Sequence, residues 1–143
     1  MNKIAVIYWS GTGNTEAMAH AVEEGAKNAG AEVVLKTPGE ISAGEAAAFD
    51  ALALGCPAMG DEVLEEGEME PFFTELEGSL SGKKVALFGS YGWGDGQWMR
   101  DWQDRVAGAG ASLCGGEGVI AQNAPDEDCL KECENLGAAL AGM

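Results

Sequence analysis

Three short stretches of this sequence combine residue types suited to holding a ligand rather than building a core. The first is Ser10-Gly11-Thr12-Gly13-Asn14-Thr15. Its glycines let the backbone turn tightly and approach a ligand. Its hydroxyls and amide offer further donors, and a helix beginning here would add free N–H groups and a positive dipole end. That chemistry suits a phosphate. The stretch is not a G-x-x-x-x-G-K-[ST] loop, because no Lys or Arg lies within it. Nor is it G-x-G-x-x-G, since Thr15 and Glu16 follow Asn14 where the third glycine belongs. The same composition also serves as ordinary N-capping, so both readings stand. The second stretch, Cys56-Pro57-Ala58-Met59-Gly60-Asp61-Glu62, puts a soft, polarizable Met beside a Gly-Asp pair. It could lie against a flat aromatic ligand or be a plain turn. The third is Ser90-Tyr91-Gly92-Trp93-Gly94-Asp95-Gly96. Aromatics separated by glycines serve a core poorly, because each glycine removes packing and adds unfolded-state entropy. They can hold large rings at a surface while backbone amides reach a ligand edge.

These stretches must be positioned by something, and the rest of the chain supplies it. Ile4–Trp9 is almost continuously apolar, as in a parallel strand buried on both faces. Similar runs follow at Glu32–Leu35, Ala51–Leu54 and Val85–Phe88, with a broken pair at Ser112–Cys114 and Val119–Ala121. Helical segments are expected between them, at Thr15–Ala29, Ser42–Phe49, Met69–Glu77, Gln97–Ala109 and Asp126–Ala141. In the first helix Thr15, Met18, Ala19, Val22, Ala26 and Ala29 share one face, and Glu16, His20, Glu23, Glu24 and Lys27 the other. Five strands alternating with five helices predict an open, doubly wound α/β sheet. In such sheets ligands bind beyond the carboxyl ends of the strands, where the strand order reverses. The three stretches follow the first, third and fourth strands.

The bulk numbers agree with one domain spanning residues 1–143. No apolar run reaches the length of a membrane helix. The chain runs from Met1 straight into a strand-like segment, so a cytoplasmic location is expected. Four cysteines occur without a C-x-x-C, and reduced thiols are the default. Cys129 and Cys133 stand at i,i+4 on the apolar side of the last helix and read as small core thiols. Trp98 and Trp102, also at i,i+4, read as core. A net charge of −16 with eight scattered Lys and Arg argues against nucleic acid. It would instead steer the chain toward basic protein surfaces, or simply maintain solubility.

Taken together, Ser10–Thr15 resembles the phosphate loop T/S-x-T-G-x-T of flavodoxins. Pro57–Glu62 and Ser90–Gly96 resemble their two isoalloxazine loops, above all those of short-chain members from anaerobic bacteria. The resemblance covers essentially the whole chain. It implies a flavodoxin-like five-stranded parallel sheet of order 2-1-3-4-5 with helices on both faces, an order for which flavodoxin is the stock example. It implies FMN as a non-covalent cofactor. Ser10, Gly11, Thr12, Gly13, Asn14 and Thr15 would hold the phosphate. Pro57, Ala58, Met59, Gly60, Asp61, Glu62, Ser90, Tyr91, Gly92, Trp93 and Gly94 would surround the ring. Trp93 would stack on one face and Met59 cover the other. Backbone groups of Asp61, Gly92 and Gly94 would meet the ring edge, and Glu62 would accept from the flavin N3–H. In the family the peptide after the glycine matching Gly60 turns its carbonyl to N5 of a neutral semiquinone.

The function so implied is low-potential one-electron transfer, not enzymatic catalysis and without a metal. The alternative is an FMN-dependent quinone or NAD(P)H oxidoreductase on the same fold, which needs space over the flavin for a hydride donor. A response-regulator receiver would call for acidic residues where Ser10 and Cys56 stand. Asp61, Glu62, Glu65, Glu66, Glu68, Glu70, Glu75 and Glu77 run without an intervening Lys or Arg. They read either as a solvated face or as a docking surface for basic redox partners such as ferredoxin-type oxidoreductases. No membrane association is expected, and a monomer is. Cys56 would lie near the flavin, though a buried strand-end thiol is the simpler reading.

Overall fold

The computed structural model describes residues 3–60 and 62–143. Strand β1 (Lys3–Tyr8) is followed by α1 (Asn14–Asn28), β2 (Glu32–Lys36), α2 (Ala43–Ala47), β3 (Ala51–Gly55) and α3 (Met69–Glu77). Then come β4 (Lys84–Tyr91), α4 (Gln97–Gly108), β5 (Ser112–Leu113), β6 (Val119–Gln122) and α5 (Glu127–Ala141). All pairings among these strands are parallel, in the order β2-β1-β3-β4-β5, with β6 also paired to β4. β1 lies between β2 and β3, with Ile4 opposite both Val33 and Ala51. The chain therefore winds one way from β1 to β2 and the other way from β1 to β3, which opens a crevice at the ends of β1 and β3.

The fifth position of the sheet is shared by two short pieces. β5 pairs with the start of β4 (Lys84 with Ser112) and β6 with its end (Phe88 with Val119). Between them Gly115 and Gly116 take positive φ angles of 75° and 78°, and Cys114 begins a single 3-10 turn rather than ending a strand. Ser42 starts α2 with a reciprocal capping box to Glu45, and this helix stops at Ala47, short of the expected Phe49.

Alternation along β1 divides the core in two. Ala5 and Ile7 face a layer with Phe72, Phe73, Leu76, Trp98, Trp102 and Val106 from α3 and α4. Ile4 and Val6 face Met18, Val22, Cys133, Leu136 and Leu140 from α1 and α5. Both faces of β1 and β3 are covered, which explains their unbroken apolar sequences. Trp98 and Trp102 are buried as expected. Ala29 is exposed instead, because the helical face ends at Ala26 and residue 29 is the C-cap of α1.

Candidate functional site

The crevice at the carboxyl ends of β1, β3 and β4 is a cleft of about 260 Å³. Its walls are Gly11, Thr12 and Asn14 from the first loop, Pro57, Ala58 and Met59 from the second, and Ser90, Tyr91 and Gly92 from the third. All three stretches therefore meet at one place. Trp9 and Asn123 complete the lining. Sequence reasoning treated Trp9 as the last strand residue and did not single out Asn123. A signal for Trp9 was its position directly before a ligand-suited loop. Asn123 closes the cleft because β6 ends opposite Tyr91, and its N–H donates to the Tyr91 carbonyl at 2.7 Å with φ at +60°. That non-local contact has no local signature.

The first loop spends its own hydroxyls on its shape. Ser10 Oγ accepts from the N–H groups of Gly13 (3.1 Å) and Glu16 (3.2 Å). Gly13 takes a φ of +96° as the N-cap of α1, which a side chain would oppose. The N–H groups of Gly11, Thr12 and Thr15 donate to nothing among the described residues. They leave a cationless N–H cluster at a helix start. Thr15 Oγ1 and Ser90 Oγ, both buried, are bonded to each other at 3.0 Å, and Ser90 N–H donates to Thr15 Oγ1 at 3.3 Å. This contact ties the first loop to the third.

In the second stretch Met59 and Val63 form an antiparallel bridge, N–H to O at 2.9 and 3.1 Å, so Gly60 and Glu62 sit in a tight hairpin. Asp61 lies outside the described residues. Gly60 has φ +41° and Glu62 φ +58°, a left-handed backbone that a glutamate rarely adopts. The Glu62 carboxylate accepts from Gln97 N–H at 3.2 Å, at the start of α4. It lies so close to Gly94 that a Cβ there would stand 2.3 Å from Glu62 Oε1. The hairpin and the third loop are thus joined through one carboxylate. Trp93 is 64% exposed on that loop, an indole held in water by flanking glycines. Ser10, Gly13, Thr15, Gly60, Glu62, Trp93 and Gly94 flank or brace the cleft without lining it.

Residues 6–137 match the flavodoxin family model. The chain belongs to the flavodoxin family. It is 48% identical over 138 residues to the flavodoxins of Megasphaera elsdenii and Clostridium beijerinckii, covering 96% of this chain and 98% and 99% of theirs. It also resembles the solution structure of two-electron reduced Megasphaera elsdenii flavodoxin, with a TM-score of 0.89, 47% identity and coverage of 98% and 99%. FMN is the cofactor of this family, whose members transfer electrons and are not enzymes.

Within that frame the acidic stretch separates into different parts. Glu65 is buried, and its carboxylate accepts from the N–H groups of Gly67 (2.7 Å), Glu68 and Met69 (3.3 Å), capping the start of α3. Glu70 and Glu77 close on Arg105 at 2.7 and 2.9 Å, and the guanidinium also stacks 4.7 Å above Phe73. Arg105 hydrogen bonds hold the Glu70 carboxyl below its usual range. A stretch without a cation in sequence is therefore partly neutralised by one from α4. Glu66, Glu68 and Glu75 remain exposed. Cys56 is fully buried, and desolvation pushes its thiol up to about 12. Among the described residues no cluster of three or more His, Cys, Asp or Glu could hold a metal, and no helix is long and apolar enough to cross a membrane.

Proposed function

We propose that residues 1–143 form one FMN-binding domain that carries electrons singly, at low potential, between partner proteins in the cytoplasm. The observation that carries this reading is the convergence of three loops on one cleft beside an uncommitted N–H cluster and an exposed indole. The residues fit the cofactor. The amides of Gly11, Thr12 and Thr15, with Thr12 and Asn14 side chains, would hold a phosphate without a cation. Trp93 and Met59 would cover the two faces of the ring. Backbone groups of Asp61, Gly92 and Gly94 would meet its edge. Glu62 already uses one oxygen on Gln97, which leaves the other for the ring N3–H.

Bound FMN supplies two successive one-electron steps. This chain separates them by charge. Adding negative charge between apolar side chains, in a protein of net charge −16, is opposed by desolvation and by like charge. Gly60 leaves the peptide that follows it free to reorient, because positive φ costs glycine little. The exposed Glu66, Glu68 and Glu75 would meet basic redox proteins, with the carrier itself a monomer.

The test is a visible spectrum of the purified protein during stepwise anaerobic reduction. A yellow protein that develops a long-wavelength band at half reduction, then loses it, supports a one-electron carrier. Bleaching in one two-electron step, accelerated by NAD(P)H, would overturn the reading in favour of a reductase. A colourless protein that takes up no added FMN would overturn it altogether.

A further inference from the structure

The loop that carries Trp93 has few fixings. At one end Ser90 is bonded to Thr15, and the Tyr91 carbonyl accepts from Asn123. Gly92, Trp93 and Gly94 then make no hydrogen bond to any described residue. Three glycines within residues 92–96, two of them at positive φ, give this segment wide conformational freedom. Its far end runs into α4, where the Met99 and Arg100 N–H groups donate to the Gly96 carbonyl and Glu62 accepts from Gln97 N–H, and one side chain of that helix reaches back into the loop. Arg100, from the first turn of α4, donates through Nη1 to the Asp95 carbonyl at 3.0 Å and through Nη2 to Asp95 Oδ1 at 2.9 Å. Nη2 also reaches Gln97 Oε1 at 2.9 Å. The planar fork grips backbone and side chain of one loop residue together, a geometry that a lysine cannot reproduce.

We propose that Arg100 is a positioning residue that clasps the Trp93 loop, so that the indole is pre-set beside the cleft before the cofactor arrives. The inference rests on the FMN reading above for its consequence, but the clasp itself is a property of the free protein. A pre-set loop loses less freedom on binding, which slows release more than it speeds capture. Arg100 is half exposed, so the Coulomb part of its pair with Asp95 is weak and screened. The backbone contact is the part that orders the loop.

Two roles for Arg100 predict opposite things. If it acted only as a positive charge near an anionic cofactor, R100Q would weaken FMN binding and D95N would strengthen it. As a clasp, both substitutions loosen the loop and both weaken binding, with D95N the milder because the Asp95 carbonyl remains. R100K keeps the charge but loses the fork, so it should follow R100Q. The experiment measures amide hydrogen exchange of residues 92–96 and Trp93 fluorescence anisotropy in the apoprotein, then FMN and riboflavin affinities by fluorescence titration. The expected result is faster exchange and lower anisotropy in R100Q and R100K. Dissociation constants should rise by roughly three- to tenfold, equally for FMN and riboflavin. Unchanged exchange and anisotropy, or R100K indistinguishable from the unsubstituted protein, would overturn the clasp. Failure of the unsubstituted protein to bind FMN would overturn the function proposed above, while exchange in the apoprotein would still decide the clasp.

Discussion

Gly89 stands where the sheet becomes the site, and replacing it with alanine should damage both. Gly89 lies within β4, one residue after Phe88, whose carbonyl accepts from Cys56 N–H at 3.2 Å. A Cβ on residue 89 would stand 2.1 Å from the Cys56 carbonyl oxygen, where ordinary contact begins near 3.4 Å. One strand must therefore move by about 1.3 Å, and neither is a flexible side chain that could yield cheaply. The same oxygen accepts from the buried Trp98 Nε1–H at 3.0 Å, and the Cβ would also press on Trp98 Cζ2 at 3.2 Å. Overpacking costs about 1–3 kcal/mol, and weakening the bond to a buried indole N–H costs a similar amount. Removing a strand glycine returns about 0.5–1 kcal/mol, so a net loss of about 3 kcal/mol is expected. Because Cys56 leads directly into Pro57–Met59, FMN affinity should fall as well. Urea unfolding of the apoprotein would read the first effect as a lowered midpoint at unchanged slope, and a fluorescence titration with FMN the second. Gly108→Ala is the control, since a Cβ there meets nothing within 4 Å and α4 should gain slightly. A Gly89→Ala loss below about 1 kcal/mol with unaltered FMN affinity would refute the reasoning from close approach.

Four further outcomes are expected. Trp93→Ala should leave apoprotein stability within about 0.5 kcal/mol, because the indole is 64% exposed, yet weaken FMN binding by about 1–3 kcal/mol of lost stacking in calorimetry. Gly60→Ala has room for its methyl but pays for φ +41°, so the apoprotein should lose about 1 kcal/mol in urea unfolding. Iodoacetamide at pH 8 should label the native protein mainly at Cys129, which is half-buried, since Cys56, Cys114 and Cys133 are buried from the reagent although desolvation raises all four thiols; mass spectrometry of the digest reads the sites. Arg105 lowers the Glu70 pKa on folding, so this carboxylate stabilises the fold above its unfolded value and stops doing so as pH falls through its lower folded value. Glu70→Gln should therefore lower stability at neutral and alkaline pH, cost little at low pH, and so flatten part of the acid limb of a stability profile.

Features that depend on neighbours in sequence were legible before any coordinates. Continuous apolar runs marked β1 and β3 because both faces of each are covered, and helix faces at i,i+4 placed Trp98 and Trp102 in the core. The three loops declared themselves through glycine, hydroxyl and exposed-aromatic composition. Features that depend on partners far along the chain were not legible. Asn123 reaches the cleft only because β6 pairs beside the end of β4. Thr15 and Ser90, 75 residues apart, spend their hydroxyls on each other rather than facing outward singly. The length of α2 also escaped, since alanines at residues 46–48 favour continuation while the turn at Phe49–Asp50 returns the chain to β3.

The acidic stretch shows how folding assigns different work to residues that look alike in sequence. Glu65 serves a helix end, Glu62 a joint between two loops, and Glu70 and Glu77 an ion pair between α3 and α4. Each of these carboxylates is tied down by a donor, and none is free to meet a partner in one geometry after another. Glu66, Glu68 and Glu75 have no such bond to their side chains among the described residues and keep their hydration. Exposed, unpaired carboxylates act at a distance through solvent, whereas the charge of Glu70 and Glu77 is largely cancelled by Arg105. The bound carboxylates hold α3, α4 and the hairpin as one frame. The exposed ones can therefore change without disturbing that frame or the cleft it presents.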